Sequence, residues 1–122
     1  MGGAIVILGG ELNISGSKFI NNNASFEGGA IYSSWTNVNI NNSSFENNIA
    51  SHNAGALFFD KGKLLINDTS FIGNKALKES DTTANAIYAY DVDAYLANST
   101  FNNGGVAVYA DFASDSNIEN VD

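Results

Sequence analysis

The chain has 122 residues, 44% of them hydrophobic, and a net charge of −8 from thirteen acids and five lysines, with no arginine and no cysteine. That length and composition suit one folded domain. They exclude a basic stripe for nucleic-acid phosphates, a disulfide framework or thiolate site, and an apolar run long enough to span a bilayer as a helix.

Taken in chain order, five blocks open on the same kind of tetrapeptide: Gly2-Gly3-Ala4-Ile5, Gly28-Gly29-Ala30-Ile31, Ala54-Gly55-Ala56-Leu57, Ala84-Asn85-Ala86-Ile87 and Gly105-Val106-Ala107-Val108. In the four complete blocks a Phe stands seventeen residues after the first position: Phe19, Phe45, Phe71 and Phe101. Two and five residues before each Phe come Ser17 and Ile14, Ser43 and Ile40, Thr69 and Ile66, Ser99 and Leu96. Three residues after it the first three blocks place Asn22, Asn48 and Asn74, while the fourth places Gly104. Repeats at such a period mark a solenoid, because one unit cannot bury its apolar face alone.

The blocks are 26, 26, 30 and 21 residues long, yet the distance to the Phe is constant, so the variation is confined to a loop after the Phe. Within the constant part, runs such as Ala30-Ile31-Tyr32 and Val38-Asn39-Ile40 read as strands, with a loop expected between them. Asn, Ser and Gly abound and apolar residues do not recur at helical spacing, so no helix is expected. The predicted fold is all-β, a right-handed parallel β-helix of about four and a half coils. Stacking at about 4.7–4.9 Å per coil would align Ile5, Ile31, Leu57, Ile87 and Val108 in one column, Ile14, Ile40, Ile66 and Leu96 in a second, and the four Phe in a third. Ala4, Ala30, Ala56, Ala86 and Ala107 would form a small-residue column, with the glycines beside it at a close backbone approach. Asn22, Asn48 and Asn74 would form an amide ladder, expected to lapse at Gly104. The chain starts and stops inside a repeat, so it is expected to be one β-helix piece of a longer array, with repeats starting near 2, 28, 54, 84 and 105 and any signal or anchor outside it.

Gly-Gly-Ala-Ile followed at fixed distance by Phe-x-x-Asn resembles the repeat of the chlamydial polymorphic outer-membrane proteins, found also in adhesin-like surface proteins of methanogenic archaea. Both tetrapeptides are intact in the first two blocks; the third softens the first to Ala54-Gly55-Ala56-Leu57, and the fourth loses the Asn. The resemblance implies an extracellular, cell-surface β-helical stalk that takes part in adhesion to a protein or glycan of a host or neighbouring cell.

Several residues are candidates for that contact. Val6, Tyr32, Phe58, Tyr88 and Tyr109 each follow the first aliphatic column, so alternation sends them to the outer face. An outer stripe of Tyr32, Phe58, Tyr88 and Tyr109 offers apolar faces with polar tips to a sugar or a protein, unless the rings only brace the sheet. Trp35, in the expected loop after Tyr32, is the best single contact residue. Asp91, Asp93, Asp111 and Asp115 form the one acidic cluster, beyond Asp60, Lys61 and Lys63. It reads as a solvated loop edge, or more sharply as a Ca²⁺ site, since that ion takes clustered carboxylate oxygens; no calcium-loop motif accompanies it, and no cofactor is expected. His52 reads as a polar surface residue. Asn13, Asn23, Asn41, Asn42, Asn67 and Asn98 each start an N-glycosylation triplet, with turn chemistry the plainer account of Asn42 and Asn98.

β-Helices also carry polysaccharide lyases and hydrolases, which need paired carboxylates and often a basic residue. No base or proton donor can be singled out here, so the chain is expected not to be an enzyme. The expected function is therefore a stalk or adhesive surface in cell attachment. The alternatives are a non-catalytic carbohydrate-binding module and a fragment of a β-helical polysaccharide-active enzyme. Head-to-tail self-association through the coil ends is expected as well.

Overall fold

A computed structural model describes residues 2–80, 83–112 and 117–121, with 111–112 and 117–121 described by their backbone. Among these residues there are strands and no helix. The first coil holds β1 (Ile5–Leu8), β2 (Glu11–Ser15), β3 (Lys18–Ile20) and β4 (Asn23–Ala24). The second holds β5 (Ile31–Asn41), β6 (Ser44–Glu46) and β7 (Ile49–Ala50), and the third β8 (Leu57–Asn67), β9 (Ser70–Ile72) and β10 (Lys75–Ala76). The long β11 (Ile87–Asn102) makes the fourth, and β12 (Val108–Phe112) and β13 (Asn117–Val121) lie on it. Every pairing is parallel and joins equivalent residues of neighbouring coils, which makes the fold a β-solenoid.

The expected columns are present. Ile5, Ile31, Leu57, Ile87 and Val108 are register partners in series, as are Ile14, Ile40, Ile66 and Leu96. The Phe rings stack with centroids 4.8, 5.1 and 4.8 Å apart and planes within 7°. Phe45 and Phe71 are fully buried. Alternation explains the sorting: in β5 the residues from Ile31 inward and outward take turns, and Val38 and Ile40 face the core while Asn37 and Asn39 face solvent. Each buried aliphatic or Phe side chain stabilises the stack by about 1.5–3 kcal/mol relative to exposure.

Two polar columns close the corners. Asn48, fully buried, accepts from the backbone and side-chain amides of Asn22 through Oδ1, and its Nδ2 donates to Phe19 O and to Asn74 Oδ1, all at 2.9–3.0 Å. All four hydrogen-bonding capacities of that amide are used, so burial leaves nothing orphaned. The hydroxyls of Ser17, Ser43, Thr69 and Ser99 each donate to the carbonyl two residues earlier, capping the neighbouring corner.

The ladder does not lapse in the fourth coil. Asn103, one residue earlier than the repeat would put it, takes the place in the ladder and accepts from Asn74 N at 2.8 Å and Asn74 Nδ2 at 2.9 Å. That coil is short because no strand follows Asn102 until β12. Asn85 takes over part of the missing strand's bonding: its Oδ1 accepts from Ala76 N and its Nδ2 donates to Gly104 O.

The close approach expected of the glycines is also seen. A Cβ on Gly29 would lie 1.9 Å from Gly55 O and 2.8 Å from Ile49 N and O, so no larger residue fits without moving backbone.

One expectation is corrected. The segment holding Trp35, and likewise that holding Lys61 and Lys63, is not a loop between two strands but part of one continuous strand. Ser34 pairs with Asp60 and Thr36 with Gly62 on either side of the corner. Trp35, Lys61 and Asp91 occupy the corner with φ of 56°, 65° and 53°. A single left-handed residue turns the strand to a new face while the ladder continues, a local bulge-like device. A second corner is made by Gly16, Asn42, Asp68 and Asn98, again with positive φ. Asn42 and Asn98 are thus turn residues, as their composition suggests.

Candidate functional site

Tyr32, Phe58, Tyr88 and Tyr109 form the expected outer stripe, in register on successive coils. Their rings stack with centroids 5.1, 5.0 and 5.0 Å apart and interplanar angles of 4°, 1° and 14°. Coplanar stacking at the coil spacing has a chemical consequence: each inner ring covers the faces of its neighbours, and Phe58 is only 8% exposed. The stripe presents ring edges and phenolic tips to solvent; Phe58 and Tyr88 have a ring on each face, and Tyr32 and Tyr109, at the ends of the stack, on one face. Burial, followed by the nearby Glu27 and Asp60 carboxylates, holds the Tyr32 phenol above its ordinary pKa. Burial does the same for Tyr88, with Tyr109 and Glu27 adding to it. Both tips therefore remain neutral hydrogen-bonding groups at physiological pH.

Glu27 stands near the stripe. Its Oε1 accepts from Asn53 Nδ2 at 2.9 Å. Burial raises its pKa above the carboxylate norm, against the lowering effects of that hydrogen bond, the chain's amino terminus and His52. His52 itself is half-buried, with its ring 4.0 Å from that of Phe26, so it is a packed residue of the loop edge rather than a free surface group.

Trp35 differs from the stripe. It is 68% exposed and stands at the corner where Gly9, Lys61 and Asp91 occupy the other coils. That position specifies a backbone conformation, not a side chain, and a bulky residue is the costly choice there, at roughly 1–2 kcal/mol. The Lys61 ammonium lies 5.3 Å from the Trp35 ring centroid and 5.8 Å from that of Tyr90, and 3.5 Å from Asp60 Oδ1. Cation–π attraction and the ion pair together fix Lys61 over the corner.

Beyond the corner the outward positions of β2, β5, β8 and β11 line a shallow groove of about 480 Å³. One row across it is Glu11, Asn37, Lys63 and Asp93; the next is Asn13, Asn39, Leu65 and Tyr95. A smaller hollow of about 320 Å³ joins Trp35, Lys61 and Asp91 to Lys63 and Asp93. Asn37, Asn39, Lys63, Leu65 and Tyr95 are functional candidates that self-comparison of the sequence does not single out, because outward positions need not repeat. Counting two and four residues beyond Trp35 along an alternating strand would have found Asn37 and Asn39.

Of the expected acidic cluster, Asp91 and Asp93 line one hollow together with Lys61 and Lys63. Asp93 is the register partner of Lys63, and Asp91 shares its corner column with Lys61. Asp111 pairs with Tyr90 rather than following Asp91, since Val92 pairs directly with Phe112 and the fifth coil has no corner residue. Asp115 and the Asp111 side chain lie outside the described residues. Among the described residues no three His, Cys, Asp or Glu gather as a metal would require.

No family model, no curated protein and no solved structure matches this chain.

Proposed function

We propose that this chain is a segment of an extracellular, adhesin-like surface protein, acting as a β-helical stalk whose outer face serves cell attachment. The observation that carries the reading is the contrast between inside and outside. Inner columns are nearly uniform from coil to coil, Phe on Phe and Ile on Ile. Outside, the aromatic stripe repeats, but the corner column and the rows across the groove vary, as in Gly9, Trp35, Lys61 and Asp91. Uniform columns build a rod of any length, and variable ones let each coil carry its own surface chemistry. The Gly-Gly-Ala-Ile and Phe-x-x-Asn repeats, which resemble those of polymorphic outer-membrane proteins, favour the same reading.

The partner in this proposal is a protein or glycan on a host or neighbouring cell. No catalysis is proposed; in the row across the groove Glu11 and Asp93 stand three coil steps apart, about 14 Å at strand spacing. The groove supports a second reading, a non-catalytic carbohydrate-binding module. A whole-cell binding assay with the purified chain, beside a Tyr32→Ala/Trp35→Ala variant, tests the adhesive reading. Saturable binding that falls in the variant is expected. Absence of binding by the folded chain would reduce the segment to a spacer.

A further inference from the structure

We infer that the groove on the outer face of β5, β8 and β11 is a subsite for a neutral oligosaccharide, with Trp35 as its stacking platform. The inference deepens the adhesive reading by naming the ligand class, and it rests on that reading. Three observations carry it.

The first is the placement of Trp35. Its ring is not used by the core, its corner favours glycine, and it is 68% exposed beside the groove. The inner rings of the aromatic stripe hide their faces in mutual stacking, whereas among the described residues no aromatic ring stacks on Trp35: the Lys61 ammonium lies over one face, 5.3 Å from the centroid, and at 68% exposure the ring keeps its other face for a ligand. A flat apolar face rimmed by polar groups matches the C–H face of a pyranose, which also favours a nearby electron-rich ring.

The second is the lining. Asn37, Asn39 and Lys63 supply donors, and Asp93 supplies carboxylate acceptors, within one shallow depression. Vicinal sugar hydroxyls both donate and accept, so they satisfy such a mixed row where an apolar or purely ionic ligand would leave groups unpaired. From Trp35 in the second coil to Asp93 in the fourth is two coil steps, about 10 Å, a span suited to two or three sugar rings.

The third is the charge balance, which decides among ligands. The groove and the adjoining hollow hold Lys61 and Lys63 against Glu11, Asp91 and Asp93, on a chain of net charge −8. An acidic glycan is repelled by that excess, and Lys61 and Lys63 stand between the acids, so no unbroken anionic patch is left to hold a cationic ligand.

Trp35 is the chain's one tryptophan, so its emission reports the groove directly. Titration with neutral gluco-, manno- and galacto-oligosaccharides, beside oligogalacturonate as the acidic arm, should give a saturable change in emission with the neutral arm alone. The neutral response should be nearly independent of salt. By calorimetry, Trp35→Ala should weaken the binding about tenfold, and Asp93→Asn should weaken it without altering the far-ultraviolet strand spectrum. No response to any neutral sugar, preference for oligogalacturonate with loss in salt, or full affinity in Trp35→Ala would each overturn the inference. Cell binding that survives such a result would leave the adhesive reading standing with a different partner, a protein included.

Discussion

Asn74 donates its side-chain amide to Oδ1 of Asn103 at 2.9 Å, although Asn103 follows its Phe by two residues and Asn74 follows its own by three. The ladder selects for an amide at a point in space, and the shortened fourth coil supplies one from the adjacent position. Asn48 and Asn74 each serve the coils on both sides.

Asn48→Ala would leave the Asn22 amide groups, Phe19 O and one acceptor site of Asn74 Oδ1 without their partner, in a partly to fully buried place. The expected loss is on the order of 4 kcal/mol, several groups at about 1–3 kcal/mol each with partial relaxation. Asn103→Ala should cost less than half of that, since Asn103 is partly exposed. Denaturant unfolding of the two variants checks the ranking, and equal losses would contradict the ladder as the main polar support.

Phe45→Ala removes a fully buried ring from between two others and should cost roughly 3–5 kcal/mol. Tyr32→Ala, on the half-buried outer stripe, should cost about 1–2 kcal/mol. A loss under about 1 kcal/mol at Phe45 would take the Phe column out of the core.

Gly29→Ala should be more damaging than its size suggests, because the added methyl meets the Gly55 carbonyl and the Ile49 backbone, both parts of the ladder. The control is Gly10→Ala, where φ is +80° but nothing lies within 4 Å. There the cost is the left-handed conformation alone, about 1–2 kcal/mol. Thermal unfolding should separate them, with Gly29→Ala the less stable or unfolded.

Glu27 sets a pH dependence of definite sign. Its folded-state pKa lies above its ordinary value of 4.5, chiefly through burial. Between those two values the folded chain keeps a proton that the unfolded chain has lost, so this group's contribution to stability declines as pH rises through that window and stays reduced above it. Glu27→Gln keeps an acceptor for Asn53 without the charge. It should be more stable than the parent at pH 7 and should converge with it at pH 4, by thermal melts across that range. A pH-independent difference between the two proteins would contradict burial of the charge as the cause.

The inner half of this molecule is legible in the sequence, and the outer half is not, for one physical reason. Stacking requires like residues at like positions, so Phe19, Phe45, Phe71 and Phe101 announce their column by spacing alone. The outer rows have no such constraint: Glu11, Asn37, Lys63 and Asp93 share a row and nothing else. The corner column fails similarly, because Trp35, Lys61 and Asp91 share only their φ, and their diversity reads as a loop. Tyr32, Phe58 and Tyr88 were placed on the outer face by alternation, but alternation does not tell whether rings stack face to face. Asn103 was missed because its register is set by a missing strand rather than by the repeat.

The last expectation concerns association. Among the described residues, strands β1, β2, β3 and β4 each pair on one side only, with the second coil, and Leu8 at the end of β1 is 70% exposed. At the other end, among the same residues, β12 and β13 each pair with β11 alone. Free backbone groups in parallel register with an apolar column behind them are a template for another coil. Opposing this is the net charge of −8, which repels a second copy at low salt. Added salt screens that repulsion, with a Debye length near 10 Å at about 0.1 M, and leaves strand pairing and apolar contact nearly unchanged. The mass by light scattering should therefore rise with protein concentration, and rise further from low salt to about 0.5 M salt, where screening is stronger. A constant monomer mass under both changes would show that the coil ends are closed to their own kind, and that β1 to β4 are not an associating edge.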